Sequence, residues 1–238
     1  MKITKAFLVT FTMVFFSPVA NFSHAGGNVD GVIKYDGVVP NFREIKMDAD
    51  PICLSHHTTG VFPETLVLGP DNTIANVFVR ISKNLPQGTV YPVPAEPVVM
   101  SQQGCMYDPH VIGLMIGQEL KILNPDGTLH NVHALSKVNP EFNLAMPKFR
   151  KETSKLFNKA EFMFPIKCDV HPWMGAWVAV MDNPYFDVTE VNGRFLIKDV
   201  PEGEYEIEAW HEKLGTQTAR VLVKNSGSSQ INFTFSRE

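Results

Sequence analysis

Residues 168–174 read Cys-Asp-Val-His-Pro-Trp-Met and space a thiol, an imidazole and a thioether three residues apart. Soft sulfur combined with imidazole suits copper, and a site of two histidines, one cysteine and a weakly bound methionine supports single-electron transfer. A thiol bound to such an ion is deprotonated. The segment therefore predicts a metal site with Cys168, His171 and Met174 as ligands.

The second histidine must come from another part of the chain. His130 follows the turn-like run Asn-Pro-Asp-Gly-Thr-Leu and begins a strand-like His-Asn-Val segment. His133 lies three residues further on, and in a strand an odd separation turns a side chain to the opposite face. We therefore expect His130 to be a ligand and His133 to face solvent or form hydrogen bonds, with an exchange of the two roles left open.

The strand at His130 and the loop from Cys168 to Met174, taken together, resemble the cupredoxins, the small blue copper proteins, over about residues 110–182. The short spacing from His171 to Met174 is most similar to that of amicyanin-like members. The resemblance implies that His130, Cys168, His171 and Met174 hold one mononuclear copper ion. It also implies that Asn131 ties the two ligand-bearing segments together.

The chain has three cysteines, so an intramolecular disulfide leaves at least one of them unpaired. Cys168 could be a buried structural thiol or a disulfide partner, but the His and Met that follow it favour metal binding. We therefore expect a bridge between Cys53 and Cys105, which would stabilise the fold by about 3–5 kcal/mol in the chain-entropy model. The neighbouring His56 and His57 could form a second metal site, although adjacent histidines in a polar loop are usually just exposed.

Residues 1–25 have the layout of a secretory signal peptide. Two lysines precede an apolar run over 6–16, and small residues precede Gly26. That run is too short to span a hydrocarbon core, which needs about 20 residues. We expect cleavage, a periplasmic or secreted product with no membrane span, and a compartment in which disulfides form.

The composition excludes several function classes. With 21 basic and 25 acidic residues, the chain lacks the excess of positive charge that phosphate binding requires, so we expect no nucleic-acid partner. No covalent haem motif, zinc-type cysteine pair, nucleophile elbow or phosphate loop is present. We also expect no enzyme, because four protein ligands would leave no open position for a substrate.

Sixteen glycines, seventeen prolines and short alternating apolar runs predict an all-β chain. We expect a Greek-key, cupredoxin-like β-sandwich with an N-terminal extension over residues 26–183. Within it, 84–97 should be a long loop and 136–159 a covering loop, in which only 151–158 could form a helical turn. Residues 184–238 resemble carboxypeptidase regulatory-like modules, which implies a second, smaller antiparallel β-sandwich at the C-terminus.

The expected function is that of a copper protein that carries single electrons between redox partners. The partner would be a c-type cytochrome or a periplasmic oxidoreductase that docks at an exposed edge of His171, with Trp173 in an apolar docking surface. One alternative is a copper-binding or copper-delivery protein of the cell envelope with the same ligands. Another is a pair of sandwich modules that bind a surface partner or carbohydrate, with a vestigial ligand loop.

Overall fold

The computed structural model describes residues 26–237, and the predicted signal peptide over 1–25 lies outside this part of the chain. Over the described residues the chain forms strands and one short α-helix, which confirms the all-β class. The elements are β1 (Gly27–Asp36), α1 (Pro51–Ser55), β2 (Phe78–Lys83), β3 (Val98–Ser101), β4 (Val111–Met115), β5 (Glu119–Leu123), β6 (His130–Ala134), β7 (Phe142–Met146), β8 (Glu152–Leu156), β9 (Glu161–Lys167), β10 (Gly175–Met181), β11 (Phe186–Val188), β12 (Arg194–Val200), β13 (Gly203–His211), β14 (Gly215–Val223), β15 (Ser228–Gln230) and β16 (Phe233–Ser236). No helix within 26–237 is long and apolar enough to cross a membrane.

Strands β3 to β10 form what we call the central sandwich. One sheet has the order β4-β10-β9-β6-β7 and the other the order β3-β5-β8. Inward-facing residues of both sheets share one apolar core, for example Ile122 from β5, Val132 from β6 and Phe164 from β9. Alternation along each strand buries one face, and burial of these side chains drives the two sheets together.

The remaining strands form what we call the terminal sandwich. Here β1 pairs with β12, β15 and β16 in one sheet, and the other sheet has the order β11-β2-β13-β14. Its separate core contains Ile33 from β1, Ile81 from β2 and Ile207 from β13. Strands β11 to β16 therefore belong to a β-sandwich to which the chain preceding residue 84 supplies two further strands, β1 and β2.

The strand pairing thus differs from a simple division of the chain at residue 183. Val29 of β1 lies opposite Ile197, and Val79 of β2 lies opposite Ala209. The C-terminal strands present apolar faces that they do not cover alone, and the N-terminal strands cover them. Whether this sandwich is a carboxypeptidase regulatory-like module stays a prediction.

The structure corrects the expectation of a covering loop over 136–159. This stretch contains β7, which pairs antiparallel with β6, and β8, which pairs antiparallel with β5 over the residues that could have formed a helical turn. Alternate residues of β8 are exposed and half-buried, as in an edge strand with one covered face. The expected loop over 84–97 contains no strand.

Strand β9 pairs with both β10 and β6, and this pairing places the predicted ligands together. The loop 168–174 joins β9 to β10, which pair directly on either side of it through Lys167 and Gly175. Strand β6 runs antiparallel beside β9, with His133 opposite Lys167. The start of β6, where His130 lies, is therefore next to the end of β9, where the loop begins.

Candidate metal centre

His130, Cys168 and His171 come together at this end of the central sandwich, and we call them the donor cluster. One ligand atom from each lies within 4.8 Å of the other two. The two Nδ1 atoms are 3.0 Å apart, and the Cys168 Sγ lies 3.9 Å from the His171 Nδ1. The exposed fractions of these residues are 0%, 2% and 3%. The cluster is therefore compact and shielded from water.

Met174 closes the same loop. Its backbone N–H donates to the His171 carbonyl at 3.0 Å, and its carbonyl accepts from the Cys168 N–H at 3.2 Å. Its side chain is buried in the core of the central sandwich. The loop thus holds Met174 beside the donor cluster, while its ligation of a metal stays a prediction.

Each imidazole of the donor cluster has its Nε2 directed at a carboxylate. His130 Nε2 lies 2.9 Å from Asp126 Oδ2, and His171 Nε2 lies 3.1 Å from Asp50 Oδ2. A carboxylate only accepts, so both Nε2 atoms carry the hydrogen and both neutral rings have lone pairs on Nδ1. Two lone pairs 3.0 Å apart repel each other unless a proton or a metal ion lies between them.

Asp126 is held as an anion by backbone groups. The Gly104 N–H donates to its Oδ1 at 3.0 Å, and the Cys105 N–H donates to its Oδ2 at 2.9 Å. These two residues have φ of 69° and 56°, a left-handed turn that directs successive N–H groups toward one anion. Burial raises the pKa of Asp126, but the hydrogen bonds from His130 and these amides outweigh it and lower the pKa overall.

Asp50 reaches the centre from the N-terminal segment because it caps α1. Its Oδ1 accepts from the Ile52 N–H at 2.9 Å, and Pro51 occupies the first helical turn. Its Oδ2 accepts from Thr128 Oγ1 at 2.8 Å as well as from His171. Burial raises the pKa of Asp50, and these hydrogen bonds lower it by more.

The two histidines differ in their electrostatics. Burial lowers the pKa of both rings, because it penalises the charged form. At His130 the bond to Asp126 and the nearby Cys168 outweigh burial, so the pKa is raised. At His171 burial and the neighbouring His130 prevail over Asp50, so the pKa is lowered.

Cys168 lies where a thiolate is stabilised. Burial raises the pKa of its thiol, but His130 and surrounding N–H groups lower it by more, and the His171 N–H lies 3.4 Å from the sulfur. Asn131 Oδ1 lies 3.3 Å from the same sulfur and accepts from the Asp169 N–H at 2.7 Å. Asn131 therefore joins the strand of His130 to the ligand loop, as the resemblance implied.

The disulfide expected between Cys53 and Cys105 is confirmed, and within the described residues Cys168 is the free cysteine. The bridge lies against the donor cluster: Cys53 Sγ is 3.5 Å from His171 Nε2. The exposed edge of His171 expected from the sequence is absent, because Asp50, α1 and the disulfide cover that ring. Trp173 is half-buried beside it, and its Nε1 donates to the Cys105 carbonyl at 3.0 Å.

The other histidines near this end have protein partners. His133 bonds to Asp169 and Glu141, outside the donor cluster. His56 Nε2 lies 3.4 Å from Asp126 Oδ1, and His57 Nε2 lies 2.7 Å from the Gly104 carbonyl. These two therefore bind Asp126 and the turn that holds it.

Sequence reasoning missed the two carboxylates of the site. The Asp-Pro pair at residue 50 is a helix-start signature, and Asp126 lies in the turn four residues before His130. Either signal could have marked a structured carboxylate. Neither could show that the carboxylate faces an imidazole.

Comparisons with known proteins concern part of the chain. A copper(I) form of an amicyanin mutant is similar over 37% of this chain and 86% of that protein, at 24% identity and a TM-score of 0.33. An oxidised amicyanin mutant matches over the same shares at 23% identity and a TM-score of 0.33. A copper-containing nitrite reductase from Thermus scotoductus SA-01 is similar over 42% of this chain and 26% of its own, at 19% identity and a TM-score of 0.32. No protein-family model and no curated protein matches the chain.

Proposed function

We propose that this chain holds one copper ion at the donor cluster and carries single electrons. The observation that carries the proposal is the convergence of two imidazole lone pairs and a thiol in a buried space, with both Nε2 atoms fixed by carboxylates. Imidazole and thiolate donors with a weak thioether are the ligand set of copper electron-transfer sites. His130, Cys168 and His171 would bind the ion, with Met174 as the weak ligand.

When bound, copper would supply a reversible one-electron couple. The chain's own residues would keep the site rigid through that change. Asp126 and Asp50 hold the two rings and keep their hydrogens on Nε2, which raises the basicity of Nδ1. Asn131 fixes the Cys168 loop relative to His130, and burial excludes water, so little rearrangement would accompany electron transfer.

The route to a redox partner would pass across α1, since α1 and its disulfide cover His171. The exposed side chains of Ile52 and Leu54 on α1 offer an apolar surface there. We propose a c-type cytochrome or a periplasmic oxidoreductase as the partner, and a periplasmic or secreted location. We propose that the chain is not itself an enzyme, because the four residues leave no position open for a substrate.

Metal analysis and visible absorption of the chain without residues 1–25 test the proposal. We expect one copper per chain and an intense thiolate-to-copper band that disappears on reduction and returns on oxidation. The variant Cys168→Ser should lose the band. Copper-loaded protein that stays colourless, or a Cys168→Ser variant that keeps the colour, would overturn the proposal.

The weak ligand has a matched control. Met174→Leu should keep the band and change the reduction potential, because the axial ligand tunes that potential. Met115→Leu alters a buried methionine of β4 and should leave the potential unchanged. Equal potentials in the two variants would remove Met174 from the ligand set. An electron carrier should also retain its copper through repeated redox cycles, whereas a delivery protein should lose it to an acceptor.

A further inference from the structure

His171 lies between two groups of possible metal donors. Its Nδ1 faces His130 and Cys168 of the donor cluster. Its Nε2 faces the opposite way, 3.5 Å from Cys53 Sγ and 3.1 Å from Asp50 Oδ2. The imidazole of His171 therefore lies between the proposed copper site and the sulfur atoms of the Cys53–Cys105 disulfide.

This second group has the compactness of a ligand set. The sulfurs of Cys53 and Cys105 and a ring nitrogen of His171 all lie within 4.8 Å of one another. Both cysteines have an exposed fraction of 0%. With the disulfide formed, these sulfurs are poor ligands, but as thiolates they would be soft donors of the kind that selects copper(I).

We propose that, when the Cys53–Cys105 bond is reduced, the two thiolates and His171 Nε2 form a second site for a soft monovalent ion, copper(I) or silver(I), and that this site loads the donor cluster. The loading role rests on the proposed copper function, while the second site itself does not. We call it the dithiol site.

Nearby charges favour a cation at the dithiol site. Asp50 contacts the Nε2 side of His171, and Asp126 contacts the backbone of Gly104 and Cys105. Two anions beside a pair of soft donors attract a monovalent cation into this part of the molecule.

The redox steps balance without any change in the ion's oxidation state. A dithiol reductant transfers two electrons and two protons to Cys53 and Cys105 and becomes a disulfide itself. An ion bound by the two thiolates and Nε2 displaces the two thiol protons to solvent and leaves the His171 hydrogen on Nδ1. When the ion passes to the donor cluster, solvent returns two protons to the sulfurs of Cys53 and Cys105, and the His171 hydrogen returns to Nε2, facing Asp50. A disulfide-bearing oxidoreductase then accepts the two thiol hydrogens, and the reformed bond closes the site.

Reduction of the disulfide would require movement only of α1 and of the turn that carries Cys105. Cys53 belongs to α1, a helix of only five residues, and Cys105 belongs to a turn of three residues. The bond joins positions 52 residues apart in sequence, so its reduction frees α1 from the turn that carries Cys105. Asp50 also ties α1 to Thr128 through a hydrogen bond that does not involve the disulfide.

Silver(I) binding in a Cys168→Ala background isolates the dithiol site from the donor cluster. The oxidised variant should bind no silver tightly, and the same variant reduced with a phosphine and freed of reductant should bind one silver ion. The triple variant Cys53→Ala, Cys105→Ala, Cys168→Ala, treated in the same way, should bind none. Adding His171→Gln to the reduced Cys168→Ala chain should weaken binding at least tenfold, compared with no change for His133→Gln.

The outcomes separate this inference from the proposed function. A reduced Cys168→Ala chain that binds no silver, or a triple variant that still binds one ion, overturns the dithiol site. Equal silver affinities with and without His171 also overturn it. The proposed function fails instead if the oxidised wild-type chain takes up no copper, whatever the reduced Cys168→Ala variant binds. Circular dichroism of each variant verifies that the fold is retained.

Discussion

Residues 26–237 contain two buried clusters in which histidine contacts carboxylate, and the hydrogen bonding of the imidazole differs between them. One is the donor cluster. The other, which we call the junction cluster, lies where the two sandwiches meet and contains His110, Glu212 and Glu64. In the junction cluster His110 Nε2 lies 2.5 Å from Glu212 Oε1, and its Nδ1 lies 3.0 Å from the Gly175 carbonyl.

The two clusters differ in how many ring nitrogens of each histidine form hydrogen bonds to protein groups. A carboxylate and a carbonyl both only accept, so His110 must donate from both nitrogens and is an imidazolium. Burial lowers the pKa of His110, but Glu212 and Glu64 outweigh it and raise the pKa overall. In the donor cluster each ring donates once and keeps a lone pair. A buried histidine is thus a candidate ligand only when the fold leaves one of its nitrogens free.

Replacing one histidine from each cluster tests this comparison and should produce the largest effect. His130→Ala removes a lone pair from the donor cluster and should lower copper affinity by more than about 100-fold, beyond the 10–100-fold typical of residues that only support a ligand. His110→Ala removes another buried ring and should leave copper affinity unchanged. Competition with a chromophoric chelator measures both. Equal losses of copper affinity would mean that a free ring nitrogen does not distinguish a ligand from a buried structural histidine.

The junction cluster should instead govern stability. Glu212→Gln leaves the buried His110 without the carboxylate that accepts from its Nε2 and should cost about 3 kcal/mol in the free energy of unfolding, near the low end for breaking a buried ion pair. The pKa of His110 is raised from 6.5 and that of Glu212 is lowered from 4.5, against the opposing effect of burial in each case.

The pair's contribution therefore has a defined pH window. The part due to the raised pKa of His110 is complete below pH 6.5 and is lost as pH rises through its folded pKa. The part due to the lowered pKa of Glu212 is complete above pH 4.5 and is lost as pH falls through its folded pKa. Urea titrations of wild type and Glu212→Gln should differ most between about pH 5 and 6. A difference that grows above pH 8 would contradict the imidazolium assignment.

Asp126→Asn alters a carboxylate that contacts the donor cluster, and its effect on copper affinity should be of intermediate size. It removes the charge that holds His130 Nε2 and should lower copper affinity about 10–100-fold, as is typical for a group that orients a ligand. Glu212→Gln is the matched change in the junction cluster and should not alter affinity. Chelator competition again measures the effect, and an affinity that is unchanged in Asp126→Asn would show that the ring needs no carboxylate to hold it.

The sequence predicted local features well and long-range ones poorly. Alternating residues such as Tyr205, Ile207 and Ala209 lie on one buried face of β13, since a strand's periodicity is a property of its own segment. The partner of a strand is not encoded in that segment. Pairing β1 with β12 joins Val29 to Ile197, and nothing in either run specifies the other.

In the candidate site, too, the local features could be predicted from the sequence and the long-range contacts could not. Cys168 and His171 share one seven-residue loop, so their spacing alone indicated a common ligand set. The covering of His171 by Asp50 depends on how α1 and its disulfide meet the ligand loop. Those contacts join residues more than a hundred positions apart, and no local pattern predicts them.

The smallest expected effect comes from His133, which belongs to neither cluster. His133 Nδ1 lies 3.0 Å from Asp169 Oδ2, and its Nε2 lies 2.9 Å from Glu141 Oε1. Both carboxylates are exposed enough for solvent to screen them, so His133→Gln should change the free energy of unfolding by less than about 1 kcal/mol. The copper band should keep its position and intensity, because His133 lies beyond the donor cluster. A shifted band, or an affinity lowered as far as in His130→Ala, would exchange the roles of the two histidines and make His133 the ligand from β6.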